Sequence, residues 1–361
     1  MTDLRLGIIG CGNISGQYLA TLTGLPGVTP VACADLDPAR AAATAAGHGL
    51  RALGADALLA DPDVDAVVNL TVPSAHADVT REAIAAGKHV WSEKPLSLTR
   101  EDAAAITAEA AAAGVRVGCA PDTILGAGLQ TTARAVADGL IGRPVAATAF
   151  FATAGPELWH PDPEFFYAKG AGPLHDIGVY SLTALVAILG PVATVTAVTA
   201  RGRDQRVIES GPKAGRTVPV EVATHYSLTL GMASGAVATI VTSFDVPGHH
   251  LPHLEVHGTD GSLTAPDPNR HDGHPSLRRR GEREWTELPH TGGYLGSRRG
   301  IGVHDLATAL AQGRPHIASL ELGAHVLDVM LTADEAAAAG RTLPVAGGCA
   351  LPPPVPGLIG G

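Results

Sequence analysis

Residues 6–15 read LGIIGCGNIS, a short apolar run that leads into two glycines and then into a helical stretch. At the end of a strand, the first glycine of such a pattern permits a tight turn, and the second lets a phosphate approach the backbone. The N-terminus of the following helix offers free N–H groups and the positive end of its dipole. The stretch therefore predicts a dinucleotide-binding turn, with Gly10, Gly12, Asn13 and Ile14 at the pyrophosphate.

The second apolar run ends at Asp35, 20 residues after Ser15. An acidic residue at this place accepts hydrogen bonds from the ribose hydroxyls of an adenosine. An ordinary glycine-rich turn is the alternative interpretation, but the order of strand, glycines, helix, strand and acid favours the dinucleotide. Because Leu36 rather than a cation follows Asp35, the sequence favours NAD as the cofactor, while Arg40 leaves NADP open.

From Leu4 to about Asp122, short apolar runs alternate with alanine-rich helical stretches. This alternation predicts βαβ units around a parallel sheet that is covered on both faces. The predicted strands are 6–9, 31–34, 66–71, 89–91 and 115–119, and the predicted helices are 14–25, 38–46, 75–86 and 99–113. We expect an α/β N-terminal domain with a doubly wound parallel sheet, the Rossmann arrangement, over residues 1–122.

After this point, longer alternating runs separated by turn residues replace the earlier pattern, as antiparallel strands do. The predicted strands are 145–152, 194–200, 220–230, 235–243, 254–258 and 262–265, and the predicted helices are 129–138, 174–189, 303–311 and 320–339. We expect an α+β C-terminal domain with a mostly antiparallel open sheet over residues 123–361. Its helix 174–189 is predicted to be amphipathic, with Asp176, Tyr180 and Thr183 away from the buried face.

Composition excludes several classes of protein. The chain has 361 residues, of which 45% are hydrophobic and 17% charged, with a net charge of −10. Such a chain buries enough apolar surface to fold, and its negative charge argues against binding nucleic acid or an anionic membrane. The four cysteines form no CxxC pair and the histidines 249, 250 and 253 have no companion carboxylate or thiol, so we expect a reduced, cytoplasmic protein without a metal site.

Three further segments are informative: residues 71–76 read TVPSAH, residues 86–95 read AGKHVWSEKP, and residues 170–180 read GAGPLHDIGVY. Together with the glycine turn, their order and spacing resemble the Gfo/Idh/MocA family, named for glucose-fructose oxidoreductase and inositol dehydrogenase. The resemblance extends to about Val345. It implies an NAD(P)-dependent oxidoreductase that moves a hydride between nicotinamide and a secondary hydroxyl or ketone of a sugar, polyol or sugar derivative. It also implies a homodimer or homotetramer formed through the open sheet.

Lys94 is the predicted catalytic centre. It follows a strand end, where a doubly wound sheet has its ligand crevice, and the next residue, Pro95, restricts its backbone. The resemblance implies that Lys94 hydrogen-bonds the reacting hydroxyl, and that Glu93 positions Lys94 or the nicotinamide. It further implies cofactor contacts at three residues: Thr71, Pro73 and His76. Of these, His76 precedes a helix packed on the sheet and is expected to be structural more than functional.

Asp176 and Tyr180 lie four residues apart, so both side chains point to one side of a helix. The resemblance implies that Asp176 binds substrate or orients the base. A free phenol titrates near pH ~10 rather than the ~6.5 of imidazole, so Tyr180 acts as a base only beside a positive charge such as Lys94. His175 is an alternative acid or base.

An aromatic stretch precedes this helix. Trp159 and His160, followed by aromatic residues 165–167, suit the apolar faces and hydroxyl edges of a sugar ring. A hydrophobic plug is the alternative interpretation. Asp122, after the last strand of the parallel sheet, is a further candidate contact for cofactor or substrate. Two other functions remain open on this fold: a relative that uses bound NAD without net redox, as some glycosidases do, and a non-catalytic regulator.

Overall fold

The structure is a computed structural model that describes residues 3–360 and divides into two compact units. Unit 1 holds the described residues up to Gln130, together with Gly292–Leu327 and those from Pro352 onward, and unit 2 holds Thr131–Thr291 and Asp328–Leu351. No helix in the described part of the chain has both the length and the apolar character needed to span a membrane.

The secondary structure is numbered in chain order. The strands are β1 (Leu4–Ile9), β2 (Val28–Ala34), β3 (Arg51–Ala52), β4 (Ala66–Asn69), β5 (His89–Ser92), β6 (Val117–Cys119), β7 (Pro144–Ala152), β8 (Val192–Ala200), β9 (Gln205–Val207), β10 (Thr217–Pro219), β11 (His225–Met232), β12 (Val237–Ser243), β13 (Leu254–Gly258), β14 (Gly261–Ala265), β15 (Ser276–Arg279), β16 (Thr286–Glu287), β17 (Gly293–Leu295), β18 (Leu343–Pro344) and β19 (Leu358–Gly360). The α-helices are α1 (Ser15–Leu22), α2 (Pro38–His48), α3 (Ala55–Ala60), α4 (His76–Ala85), α5 (Arg100–Ala113), α6 (Ala127–Ala137), α7 (Val179–Leu189), α8 (Ile301–Gln312) and α9 (Leu320–Ala339).

Unit 1 is built on a six-stranded parallel sheet in the order β3-β2-β1-β4-β5-β6, which confirms the predicted Rossmann fold. Strand order reverses between β1 and β4, and ligands of such sheets bind outside the carboxyl ends of the strands at this reversal. The prediction missed β3 and α3, because a two-residue strand and a six-residue helix are too short to show a hydrophobic period.

Unit 2 contains a nine-stranded sheet in the order β16-β15-β14-β13-β7-β12-β11-β8-β18. Only the β12–β7 pair is parallel among its neighbours in the described chain, so the mostly antiparallel sheet is confirmed. The predicted strand 220–230 was wrong at its start: the long strand begins at His225, and the main-chain N–H groups of Val220 and Glu221 donate outside this sheet, to the carbonyls of Asp204 and Tyr167.

The predicted helix 174–189 has two parts in unit 2. Leu174–Gly178 forms a short π-helical segment, and α7 continues from Val179. The predicted amphipathic pattern was wrong, because Tyr180 and Thr183 are buried together with almost every other residue of α7. The start of the helix is held close to the sheet: a Cβ on Gly178 would lie 3.0 Å from a methyl group of Thr242 in β12.

Candidate active site

The glycine turn after β1 requires its first glycine. Gly10 has φ +98°, and a Cβ there would lie 2.6 Å from the carbonyl carbon and oxygen of Leu70. No other residue type fits that left-handed, crowded position without moving the backbone. A Cβ on Gly12, by contrast, would have no atom within 4 Å, so the backbone there is open to an approaching group. The turn thus combines a tight internal contact with an open outer face beside the N-terminus of α1, which suits a pyrophosphate.

Asp35 holds this turn from the neighbouring strand. Its Oδ2 accepts the N–H of Cys11 at 2.8 Å, its Oδ1 accepts the N–H of Asp37 at 2.8 Å, and its side chain is only 8% exposed. Oδ2 has a second lone pair, which leaves an acceptor for ribose hydroxyls. The guanidinium of Arg40 lies 3.4 Å from Oδ1 and 3.8 Å from the Asp37 carboxylate, so this cation is engaged with acids at the strand end.

The end of β4 is ordered by a residue that the sequence did not single out, Asn69. Its fully buried amide accepts from the hydroxyl of Thr71 at 2.7 Å and donates to the carbonyl of His76 at 3.0 Å. The ring of His76 is buried too, with Nδ1 at 2.6 Å from the Pro95 carbonyl and Nε2 at 3.0 Å from the Thr71 carbonyl. Burial lowers the pKa of His76 below its ordinary value. His76 therefore ties the β4 loop to the segment that contains Lys94.

Lys94 follows β5 and is half-buried. Its main-chain N–H donates to Oε2 of Glu93 at 3.0 Å, and the N–H of Glu93 donates to the Asn69 carbonyl at 2.9 Å. With the Pro95 carbonyl held by His76, the backbone is fixed on both sides of Lys94. Because β1, β2, β4 and β5 are parallel neighbours, the glycine turn, Asp35, Thr71 and Lys94 all lie at one edge of the sheet.

Asp122 lies at the same edge but has a different task from the one considered. It is buried, and its Oδ2 accepts the N–H groups of Gly300 at 2.7 Å and Gly302 at 3.1 Å. A carboxylate there stabilises the N-terminus of α8 through its free N–H groups and its dipole. Hydrogen bonding between segments almost two hundred residues apart has no local sequence signal.

In unit 2, the π-helical segment carries Asp176, and Tyr180 follows in the first turn of α7. The neighbouring His175 is buried, and its Nε2 lies 2.9 Å from Oδ2 of Asp334. The hydroxyl of Tyr226 donates to Oδ1 of the same carboxylate at 2.8 Å. His175 is thus engaged with a carboxylate of α9, which anchors the segment that presents Asp176.

The aromatic stretch of unit 2 is partly plug and partly surface. Phe166 and Tyr167 belong to a buried cluster, whereas Trp159 is 63% exposed and His160 half-buried. The Trp159 and His160 rings meet edge to face at a centroid distance of 5.3 Å, and His160 meets Phe166 at 5.2 Å. The plug interpretation therefore holds for Phe166 and Tyr167, while sugar binding by Trp159 and His160 stays a prediction.

Two family models match parts of this chain. Residues 4–120 match the family model described as an oxidoreductase family with an NAD-binding Rossmann fold, and residues 129–264 match the GFO/IDH/MocA C-terminal domain. The chain is 32% identical over 271 residues to the 1,5-anhydro-D-fructose reductase of Ensifer adhaerens, covering 72% of this chain and 74% of that protein.

One further relative and one solved structure are also similar to this chain. The scyllo-inositol 2-dehydrogenase (NAD(+)) of Bacillus subtilis is 28% identical over 264 residues, 72% of each chain. The crystal structure of an NAD binding oxidoreductase from Klebsiella pneumoniae superposes with a TM-score of 0.82 at 26% identity, covering 95% of this chain and 99% of that one. With its glycine turn, Asp35, and the Lys94 segment on an NAD-binding Rossmann domain, the chain belongs to the Gfo/Idh/MocA family of oxidoreductases.

Proposed function

We propose that this protein transfers a hydride between NAD and a secondary hydroxyl or ketone of a sugar, polyol or sugar derivative. The observation that carries the proposal is the placement of Lys94: its main chain is hydrogen-bonded on both sides, at the sheet edge that also holds the glycine turn and Asp35. Bound there, the nicotinamide supplies the hydride acceptor or donor, and the protein binds, orients and moves the proton.

The cofactor is held by residues of unit 1. Gly10, Gly12, Asn13 and Ile14 receive the pyrophosphate at the start of α1, and Asp35 accepts from the adenosine ribose. Two exposed apolar side chains at the same edge, Leu36 and Val72, provide faces for the adenine ring. Thr71 and Pro73 complete the proposed cofactor contacts, whereas the buried His76 and Glu93 support this edge through the hydrogen bonds described above. The charge of Asp35 favours NAD over NADP.

Lys94, Asp176 and Tyr180 are the proposed catalytic residues. The ammonium of Lys94 hydrogen-bonds the reacting oxygen and stabilises the negative charge that develops on it as its proton leaves, before the hydride departs from the adjacent carbon; in the reverse direction, it stabilises the charge that develops as the hydride adds to the carbonyl carbon. Tyr180 shares the movement of the hydroxyl proton with Lys94, and the carboxylate of Asp176 accepts a hydroxyl of the substrate. Trp159 and His160 contribute an aromatic face for the ring.

The substrate class is supported by the relatives, which are named for anhydrofructose and scyllo-inositol, both polyhydroxylated six-carbon compounds. We further propose a homodimer or homotetramer through the open face of the large sheet. That face carries exposed residues without charge, among them Val198, Thr229 and Val237. Four free cysteines, three of them buried, suit the reducing cytoplasm.

The test is a screen of inositols, aldoses, anhydrosugars and glycosides for stoichiometric formation of NADH and NADPH. We expect one class of polyol to reduce NAD in proportion to substrate, and Lys94→Met to abolish this while still binding NADH. Turnover of a glycoside without net NADH would indicate chemistry without net redox, and binding without any turnover would indicate a regulator. Either outcome overturns the proposal, as does full activity of Lys94→Met.

A further inference from the structure

Helix α1 carries a tyrosine that no motif predicts. Tyr18 lies one turn after Ser15, its side chain is completely buried, and its hydroxyl donates to Oε1 of Glu93 at 2.7 Å. The indole N–H of Trp91 donates in turn to the Tyr18 oxygen at 3.1 Å. Burial and the neighbouring Glu93 carboxylate raise the pKa of Tyr18 well above its ordinary value, so the phenol keeps its proton and acts as a donor.

The second oxygen of the Glu93 carboxylate accepts the main-chain N–H of Lys94 at 3.0 Å. Glu93 is only 9% exposed, and its two oxygens therefore link a helix side chain to the backbone of the proposed catalytic lysine. A charge-assisted hydrogen bond in a buried place has well-defined geometry and is stronger than a neutral one. The orientation of Glu93, and with it the Lys94 backbone, depends on the Tyr18 hydroxyl.

The indole that supports Tyr18 is itself held tightly. A Cβ on Gly118 would lie 2.6 Å from Cε3 of the Trp91 ring, and Gly302 in α8 also packs directly against that ring. Close packing on these glycines restricts the indole, whose N–H is directed at Tyr18. The link from Trp91 through Tyr18 and Glu93 to Lys94 is a rigid one.

We propose that Tyr18 is a positioning residue for Lys94, acting through Glu93, and that it joins the pyrophosphate-binding helix to the lysine of the hydride-transfer step. The N-terminus of α1 lies one turn before Tyr18, so the element that receives the cofactor also sets the backbone at Lys94. This inference rests on the proposed catalytic role of Lys94. It adds a residue outside every motif that the sequence contains.

The test uses Tyr18→Phe, which keeps the ring and removes the hydroxyl, with Tyr294→Phe as the matched control. Tyr294 is equally buried in the same unit, and its ring packs against His304. With the sugar or polyol found by the screen, we expect kcat of Tyr18→Phe to fall about tenfold, as loss of one hydrogen bond to a charged group predicts. The Kd for NADH, measured by fluorescence titration, should change less than about twofold. Hydrogen exchange at the Lys94 amide of the free protein should accelerate. The control Tyr294→Phe should show neither the fall in kcat nor the faster exchange.

A double-variant cycle separates positioning from a general loss of packing. If Tyr18 acts through Glu93, then Tyr18→Phe combined with Glu93→Gln lowers kcat no further than Glu93→Gln alone. Should Tyr18→Phe fail to fold, Glu93→Gln takes its place: one amide oxygen cannot serve both donors, and the same fall in kcat is expected.

The outcomes against the inference are distinct from those against the proposed function. A kcat of Tyr18→Phe within about twofold of the natural protein, or multiplicative effects in the double variant, overturns the positioning role. The same holds if NADH affinity and the unfolding midpoint fall in proportion to kcat, as a merely structural residue predicts. If Lys94→Met retains turnover, the proposed function fails. If Lys94→Met is inactive while Tyr18→Phe is normal, only the positioning role fails.

Discussion

Asp35 offers the sharpest test of cofactor recognition. Replacing it with Asn removes the negative charge and keeps one oxygen acceptor, so one of the contacts to the N–H groups of Cys11 and Asp37 is retained. For NAD, the ribose loses a charged acceptor in exchange for a neutral one, at a cost of about 1 kcal/mol. For NADP, the 2′-phosphate no longer faces a carboxylate, and two unit charges about 5 Å apart repel by roughly 1–3 kcal/mol between water and a protein surface.

The two effects add, so Asp35→Asn should shift the ratio of NADPH to NADH affinity toward NADPH by about 2 kcal/mol or more, at least thirtyfold. Arg40, now facing one carboxylate fewer, reinforces the shift. The matched control is Asp37→Asn, which makes the same charge change two residues away. Its carboxylate accepts from the N–H of Ala39 at 3.0 Å and is half-exposed, and Asn is an equally good helix cap.

The assay is fluorescence titration of each variant with NADH and NADPH at fixed ionic strength. If the ratio of NADPH to NADH affinity in Asp35→Asn stays within about twofold of that in the natural protein, the prediction is wrong, because the charge of Asp35 then does not select the cofactor. An equal shift in Asp37→Asn would assign the effect to general surface charge instead.

The remaining predictions concern stability. Gly10→Ala should lower the free energy of unfolding by more than about 2 kcal/mol, because φ +98° and the nearby main chain exclude a Cβ, whereas Gly12→Ala should leave it within about 0.5 kcal/mol and weaken NADH binding only. Denaturant titrations of the pair check this, and equal losses of stability would contradict it. Burial lowers the pKa of four histidines in unit 1: His76, His89, His304 and His316. The unfolded chain binds protons at these histidines below about pH 6.5, whereas the folded chain binds them only below the lowered pKa values. The free energy of unfolding is therefore highest above about pH 6.5, and it falls by about 1.4 kcal/mol per pH unit for each proton as the pH drops to the folded pKa values. The denaturant concentration at half-unfolding should therefore be lower at about pH 5.5 than at about pH 7.5. An equal or higher concentration at about pH 5.5 would contradict burial as the cause of the lowered pKa values. His316→Gln should make the pH dependence shallower.

Elements with a long hydrophobic period were predictable from the sequence. The helix Leu320–Ala339 and the strand Leu254–Gly258 have the predicted bounds. The helix has apolar residues at a period of 3.6 along its length, and the strand has them at a period of two. Helix α7 shows the limit of such patterns. Its apolar face was visible, but Tyr180 on the other side is buried as well, and a pattern of apolar residues does not predict the burial of a polar side chain.

The candidate site divides in the same way. Residues in contiguous motifs, such as Gly10, Asp35 and Lys94, were identifiable, since their chemistry depends on the end of a strand and the start of the next segment. Partners that act across long stretches of chain were not. Tyr18 meets Glu93 75 residues later, and Asp334 meets His175 159 residues earlier. A single buried hydroxyl or carboxylate has no periodic signature, so only the folded arrangement reveals it.

Hydride transfer itself is the central claim, and isotope transfer measures it most directly. A polyol identified by the screen is prepared with deuterium on the carbon that carries the reacting hydroxyl, and the NADH formed is examined by mass spectrometry and by proton NMR of its C4 position. We expect each reduced nicotinamide to carry one deuterium on a single face of the ring, and Lys94→Met to form none. Reduced cofactor without deuterium would contradict direct transfer, and product formed without any net reduction of NAD would contradict the proposed oxidation of the substrate.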